Sequence, residues 1–192
     1  MVKVNPRKLE GPWREGYALD RHIVRSVYLG DDEFGHPRFD TTRSEIGELL
    51  YKLKYGNDQT VIGEIADAAE QYLRQWNPKV GLIIPVTPSK VRAKQPVFLV
   101  GAEIARRLNV PFSSEIVTRR IALPELKNVS REERKNLLKG AHDVQREKAR
   151  GKEILLFDDL FQSGSTMQAI AEALLEADAE DIVALTLTQA QS

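Results

Sequence analysis

The sequence predicts an α/β protein with an open, mainly parallel sheet flanked by helices and a small N-terminal hood. Three observations carry the prediction. Short, continuously apolar runs, "VGLIIPV" and "EILLFDD", read as strands buried on both faces. Segments with apolar residues at helical spacing alternate with them, as in sheets covered on both sides. The first 45 residues do not alternate in this way, so a hood over residues 1–45 precedes a core domain over 46–192.

In chain order, residues 1–14, with Pro6 and Pro12, read as irregular. "GYALDRHIVRSVYLGDDEFGHPRFDTTR" reads as one or two strands around a turn at Asp31 to Gly35. Thr42 and Glu45 have capping-box spacing, and Ile46, Leu49, Leu50 and Leu53 share one face of the next helix, which Gly56 stops. A second helix carries Ile65, Ala69, Leu73 and Trp76 and ends before Pro78. After "VGLIIPV" comes a helix with Val97, Val100, Ile104 and Leu108 on one side, then a strand over 112–120. "SREERKNLLKG" has a second capping box at Ser130 and Glu133 and a stop at Gly140. The "EILLFDD" strand leads into a helix with Met167, Ile170, Ala171, Leu174 and Leu175 inward, and "DIVALTLTQ" is the last strand.

Composition removes several classes of function. Lys plus Arg and Asp plus Glu both number 28, so no global field draws the chain to nucleic acid or an anionic membrane. Nucleic acid as a partner is left to local basic clusters. The chain has no cysteine, which excludes disulfides, thiolate metal sites and cysteine nucleophiles. A cytoplasmic location is the expectation, with no apolar signal core and no apolar run long enough to span a bilayer.

The informative stretch is "EILLFDDLFQSGST". Ile154 to Phe157 reads as the strand, and Ser165 or Thr166 opens the helix. Gly164 can take a positive φ, so the turn between them can close tightly. Backbone N–H groups of such a turn converge at the positive end of a helix, and the hydroxyls of Ser163, Ser165 and Thr166 add donors. That is a phosphate cradle. Asp158 and Asp159 repel phosphate, so they face another part of the same ligand: hydroxyls, a metal or a developing cation. A sugar phosphate meets both demands. The plainer alternative is that the acids cap the next helix, but the ordered set of strand, paired acids, Ser-Gly-Ser-Thr and amphipathic helix favours the cradle.

This segment resembles the phosphoribosyl pyrophosphate (PRPP) motif of type I phosphoribosyltransferases: an apolar strand, two acids, two apolar residues, two threonines, Gly, a small residue and Thr. Asp158 and Asp159 match the acids, Leu160 and Phe161 the apolar pair, Ser163 the second threonine, and Gly164, Ser165 and Thr166 the rest. Gln162 departs at the first threonine, losing a hydroxyl but not the backbone donors. The resemblance implies the type I phosphoribosyltransferase fold. It implies that Asp158 and Asp159 hold the ribose hydroxyls and favour a cationic sugar, and that Phe161, Gln162, Ser163, Gly164, Ser165 and Thr166 hold the 5′-phosphate. "LKNVSREERKNLLKGAHDV" and "ELLYKLKYGND" resemble segments of ComF-type members, so the likeness covers roughly residues 46–190. The chain lacks the cysteine-rich zinc finger usual in that type, reads "VRAKQPV" where Arg-Gly-Phe-Asn-Gln is usual, and has His142 where Phe is usual.

Other roles follow from the same resemblance. "IIPVTPSK" lies where the family has its pyrophosphate loop, with Thr87, Pro88, Ser89 and Lys90 as the site. Its alternative is an ordinary strand-to-helix turn. A flexible flap would bring Lys127, Arg131 and Arg134 over the leaving group, whereas Arg119 and Arg120 read as solvated charges. His22, His36 and His142 lack ligand spacing and read as structural or surface residues, so no protein metal site is predicted. Trp13, Trp76, Tyr51 and Tyr55 read as packing residues. No aromatic follows the last strand to stack a base, which argues against a purine acceptor.

The resulting expectation is a phosphoribosyltransferase of nucleotide metabolism that takes Mg²⁺ with PRPP, releases pyrophosphate and uses an unidentified acceptor. A homodimer is compatible with the resemblance, and no membrane partner is expected. The alternative is a non-catalytic PRPP or nucleotide-binding regulator, or a ComF-like accessory factor in DNA uptake or processing.

Overall fold

A computed structural model of the chain describes residues 2–88, 95–120, 138 and 140–190. The chain runs β1 (Arg7–Lys8), β2 (Glu15–Arg21), β3 (Ile23–Asp31), β4 (Pro37–Arg43), α1 (Glu45–Tyr55), α2 (Ile62–Trp76), β5 (Leu82–Pro85), α3 (Pro96–Leu108), β6 (Val117–Arg119), β7 (His142–Val144), α4 (Arg146–Ala149), β8 (Glu153–Phe161), α5 (Ser165–Glu176) and β9 (Asp181–Gln189).

Five strands form the central sheet in the order β1-β2-β9-β8-β5. The pairs β2–β9, β9–β8 and β8–β5 are parallel, and only the edge strand β1 is antiparallel. The expected mainly parallel α/β sheet is therefore present. Its strands are buried on both sides because strand residues alternate between faces. Leu155 and Phe157 of β8 join a core with residues of α1, α2 and α3. Ile154 and Leu156 join the opposite core, with Met167, Ile170, Ala171 and Leu174 of α5. Leu175, expected inward, is exposed, because the face that α5 turns to the sheet is the 167/170/171/174 stripe.

Three details differ from the sequence expectation. The first 45 residues divide: β1 and β2 belong to the main sheet, while β3 and β4 pair only with each other in a largely exposed hairpin. Its turn is closed by Asp32, whose carboxylate accepts from the N–H groups of Phe34 and His36. Helix α1 is capped by Ser44 rather than Thr42, because the Ser44 hydroxyl sits 3.1 Å from the N–H of Gly47 while Thr42 is still in β4. The strand expected over 112–120 is confined to Val117–Arg119, with a single parallel bridge from Phe112 to Ile83. The Ser130 and Glu133 capping box lies outside the described residues; Gly140, the expected stop, has a φ of 76°.

Among the described residues no helix is long and apolar enough to cross a membrane.

Candidate functional site

The carboxyl ends of β5 and β8 lie side by side, in register at Pro85 and Phe157. The N–H of Val86 donates to the Phe157 carbonyl at 2.8 Å, so the loop leaving β5 starts beside the paired acids. Thr87 and Pro88 are at this edge, and the buried Thr87 hydroxyl has no hydrogen-bond partner among the described residues. Ser89 and Lys90, predicted with them, lie outside the described residues, as do Lys127, Arg131 and Arg134.

Strand β8 does not stop before the acids. It continues through Asp158, Asp159, Leu160 and Phe161, with Asp158, Leu160 and Phe161 paired to Thr186, Thr188 and Gln189 of β9, where the sequence suggested a loop. The polar residues terminate the apolar run but not the ladder. This has a chemical consequence: strand alternation sends the two carboxylates to opposite faces of the sheet end. Asp158 shares the face of Ile154 and Leu156, and Asp159 that of Leu155 and Phe157, where α1 packs.

On the α1 side, the Lys54 ammonium meets Asp159 Oδ1 at 2.7 Å, in a pair whose side chains are only 15% and 14% exposed. The Thr188 hydroxyl donates to the Asp159 carbonyl oxygen at 3.1 Å and lies 3.3 Å from Nδ1 of His22. Burial depresses the His22 pKa, helped by the charges of Lys54 and Arg43 and opposed by Asp159. Asp158 accepts from the N–H of Asp159 at 2.8 Å. Burial, and then the Asp159 charge beside it, push its carboxyl well above the usual range, against the pull of that N–H and of Lys54. The site thus holds one ion-paired carboxylate next to one that resists ionisation.

The turn Gln162–Ser163–Gly164 joins β8 to α5. Gly164 has a φ of 71° and is the residue before the first helical turn. A Cβ there would lie 2.3 Å from the Phe161 ring, so glycine is required twice, by conformation and by space. The Phe161 ring itself packs edge-on to Trp13, with centroids 6.4 Å apart, and floors the turn. The hydroxyls of Ser163 and Ser165 are 3.1 Å apart. Gly164 at the N-cap of α5 has no side chain to offer, the Ser163 hydroxyl reaches the Ser165 N–H only at 3.5 Å, and no acid occupies the first turn, in contrast to α1, which has the Ser44 cap with Glu45 and Glu48. The α5 terminus accordingly presents N–H donors and positive dipole to an anion. Phe161 to Thr166, predicted as one site, fall at this turn.

The ribbon β6–β7 flanks residues 121–137 and carries Arg119 opposite His142. Of the two arginines expected as solvated charges, Arg120 is exposed but ion-paired with Asp143, whereas Arg119 is half-buried and its Nε has no hydrogen-bond partner among the described residues. His142 is buried, 6% exposed, with neither ring nitrogen bonded among the described residues. Burial and then the Arg119 charge lower its pKa to about 4, so it is neutral at physiological pH. His36 sits in the exposed hairpin turn beside Asp32. A cavity of about 520 Å³ opens between β4 and α1, lined by Thr41, Arg43, Glu45 and Lys52 among others, and includes none of the predicted site residues. Lys54, Thr188 and His22 are the members that sequence reasoning missed. Lys54 falls inside "ELLYKLKYGND", a segment singled out without a role for Lys54 in the site.

The architecture has known counterparts. The chain superposes on adenine phosphoribosyltransferase from Leishmania donovani with a TM-score of 0.51 at 16% identity, over 96% of this chain and 75% of that one. For adenine phosphoribosyltransferase from Saccharomyces cerevisiae the TM-score is 0.50 at 14% identity, over 85% of this chain and 83% of the other. At these identities the likeness speaks for the fold. No curated protein matches the sequence significantly. The model of the phosphoribosyl transferase domain matches residues 55–192, which takes in the β5 edge, the β8 acids and the glycine turn, and the chain belongs to that family.

Proposed function

We propose that the protein is a phosphoribosyltransferase that binds Mg²⁺–PRPP and transfers its phosphoribosyl group to an acceptor with release of pyrophosphate. The observation that carries this reading is the placing of an α5 terminus free of acids in its first turn, opened by Gly164 at φ 71°, next to paired acids at the carboxyl end of a parallel strand. Residues Phe161 to Thr166 take the 5′-phosphate through the turn's N–H groups and the serine and threonine hydroxyls. Asp158 and Asp159 accept from the ribose hydroxyls. As the bond from C1 to pyrophosphate breaks, positive charge grows on the sugar, and carboxylate already in place favours it without reorganisation. Thr87, Pro88, Ser89 and Lys90 serve the pyrophosphate, with Lys127, Arg131 and Arg134 closing over it. The Mg²⁺ arrives with the substrate phosphates. Within the family, the three sequence segments favour ComF-type members, and the acceptor enters from the side of the β3–β4 hairpin.

The test is pyrophosphate release from Mg²⁺–PRPP, screened against nucleobases, amines and single-stranded nucleic acid. Turnover with one acceptor class, abolished in Asp158→Asn plus Asp159→Asn, supports the reading. PRPP binding without turnover under any acceptor would move the protein to the regulatory alternative, and no PRPP binding at all would refute both.

A further inference from the structure

We propose that Lys54 is a positioning residue for the acidic pair: from α1 it holds the Asp159 carboxylate in the one orientation that reads the sugar hydroxyls. This deepens the proposed function and rests on it.

The argument is geometric. Lys54 and Asp159 are 105 residues apart in sequence, yet their side chains meet at 2.7 Å with little exposure. A lysine this enclosed gives up the conformational freedom that usually makes surface ion pairs weak. Lys54 stands in the last turn of α1, just after Leu50 and Leu53, whose burial fixes the helix against the sheet. The enclosure of both side chains restricts the rotamers in which the ammonium can meet Asp159. The Asp159 backbone is tied as well, because Thr188 on the neighbouring strand donates to its carbonyl oxygen. Both the main chain and the carboxylate of Asp159 are thus restrained, from β9 and α1 respectively.

Asp158 is restrained differently. It accepts from the Asp159 N–H, and no cation of its own faces it among the described residues. Swinging of the Asp159 peptide would release that bond too. Lys54 therefore holds the Asp159 carboxylate by contact, while Asp158 is held through the Asp159 backbone, which β9 restrains. It is not a catalytic residue in this scheme. It sets the positions from which two carboxyl groups meet the hydroxyls, and removing it leaves the phosphate turn at Gly164 untouched.

Calorimetric titration with ribose 5-phosphate, 2-deoxyribose 5-phosphate and inorganic phosphate tests this. Wild type is expected to prefer ribose 5-phosphate over the 2-deoxy sugar by about 10- to 100-fold, the worth of a hydrogen bond to a charged group. In Lys54→Met the preference should fall to about threefold or less while phosphate affinity is kept, and Lys54→Arg should restore most of it. The double variant Lys54→Met plus Asp159→Asn should discriminate no worse than Asp159→Asn alone, as expected if both act through one group. If Lys54→Met fails to fold, Lys54→Gln takes its place in each comparison. A folded Lys54 variant that keeps the full preference, or one that loses phosphate binding too, overturns the positioning role while leaving the function intact. Wild type that binds neither sugar phosphate, or does not discriminate between them, overturns the functional reading and this inference with it.

Discussion

Two clusters of charged side chains in this molecule are built on opposite plans. Between α2 and α3, Arg107 donates to Glu103 at 2.8 Å, to Glu70 at 3.4 Å, to the Gly63 carbonyl at 3.1 Å and to Asp67. Every charge there has a partner, and the Glu103 carboxyl is held down at about 2, chiefly by its bonds to Arg106 and Arg107. At the end of β8, the one ammonium pairs with Asp159, and burial, with the Asp159 charge, drives the neighbouring Asp158 carboxyl up instead. The first cluster joins two helices and is satisfied. The second is left unsatisfied at the edge where a ligand would complete it. Unbalanced buried charge of this kind marks functional sites because the compensation is reserved for something not part of the chain.

The sharpest way to break the comparison is to satisfy the second cluster artificially. Asp158→Asn removes an acid that resists ionisation and keeps its shape. A raised folded pKa means that Asp158 lowers stability as pH rises from the ordinary carboxylate value through the folded one. At pH 7 the variant should therefore melt at a higher temperature than wild type, while its affinity for Mg²⁺–PRPP falls by about 100-fold. Scanning calorimetry and titration calorimetry on the same sample check both halves. A variant that is both less stable and fully competent to bind would remove the contrast between the clusters.

His142 supplies the second test, because its slope has the opposite sign. Its folded pKa of about 4 lies below the ordinary histidine value of 6.5. Its contribution is complete above pH 6.5 and is lost as pH falls toward 4, at most about 3 kcal/mol. In His142→Phe that loss disappears, and denaturant melts should show less gain in stability with rising pH above 4 than wild type, the Asp158 slope now opposed by that of His22 but no longer by that of His142. In Asp158→Asn the His142 slope remains, and stability should rise from pH 4 to pH 6.5. Equal pH profiles in the two variants would show that neither group controls the acid limb.

How much of this was legible in the sequence depends on the distance over which each feature is made. The strands β5, β8 and β9 were visible because burial on both faces leaves a continuous apolar run. The glycine turn was visible because strand, turn and helix are adjacent in the chain. The extension of β8 through Asp158 to Phe161 was not, since acids normally end a strand and only pairing with β9 keeps them in it. The place of β2 was hidden for a similar reason: its partner is β9, at the other end of the chain. The Lys54–Asp159 pair spans 105 residues and leaves no local pattern. Fold and phosphate turn are local statements, whereas the electrostatics of the acids are a tertiary one.

The smallest expected effect belongs to the satisfied cluster. Replacing Arg107 with Met keeps the apolar stem packed between α2 and α3 and deletes four donor contacts. Of the acids it leaves behind, Asp67 is 70% exposed and can turn to water, while Glu70, 22% exposed, retains Arg74 at 2.8 Å. Glu103 also retains Arg106, which bonds it at 2.8 Å. Stability should consequently fall by only about 1–2 kcal/mol, less than a fully buried pair would lose. Mg²⁺–PRPP affinity should stay within about twofold of wild type, because α2 and α3 carry none of the acids or the glycine turn. Urea melts and titration calorimetry read the two quantities. A large loss of affinity with a small loss of stability would mean that the Arg107 cluster is coupled to the sheet edge, and that the molecule's two charge clusters are one system.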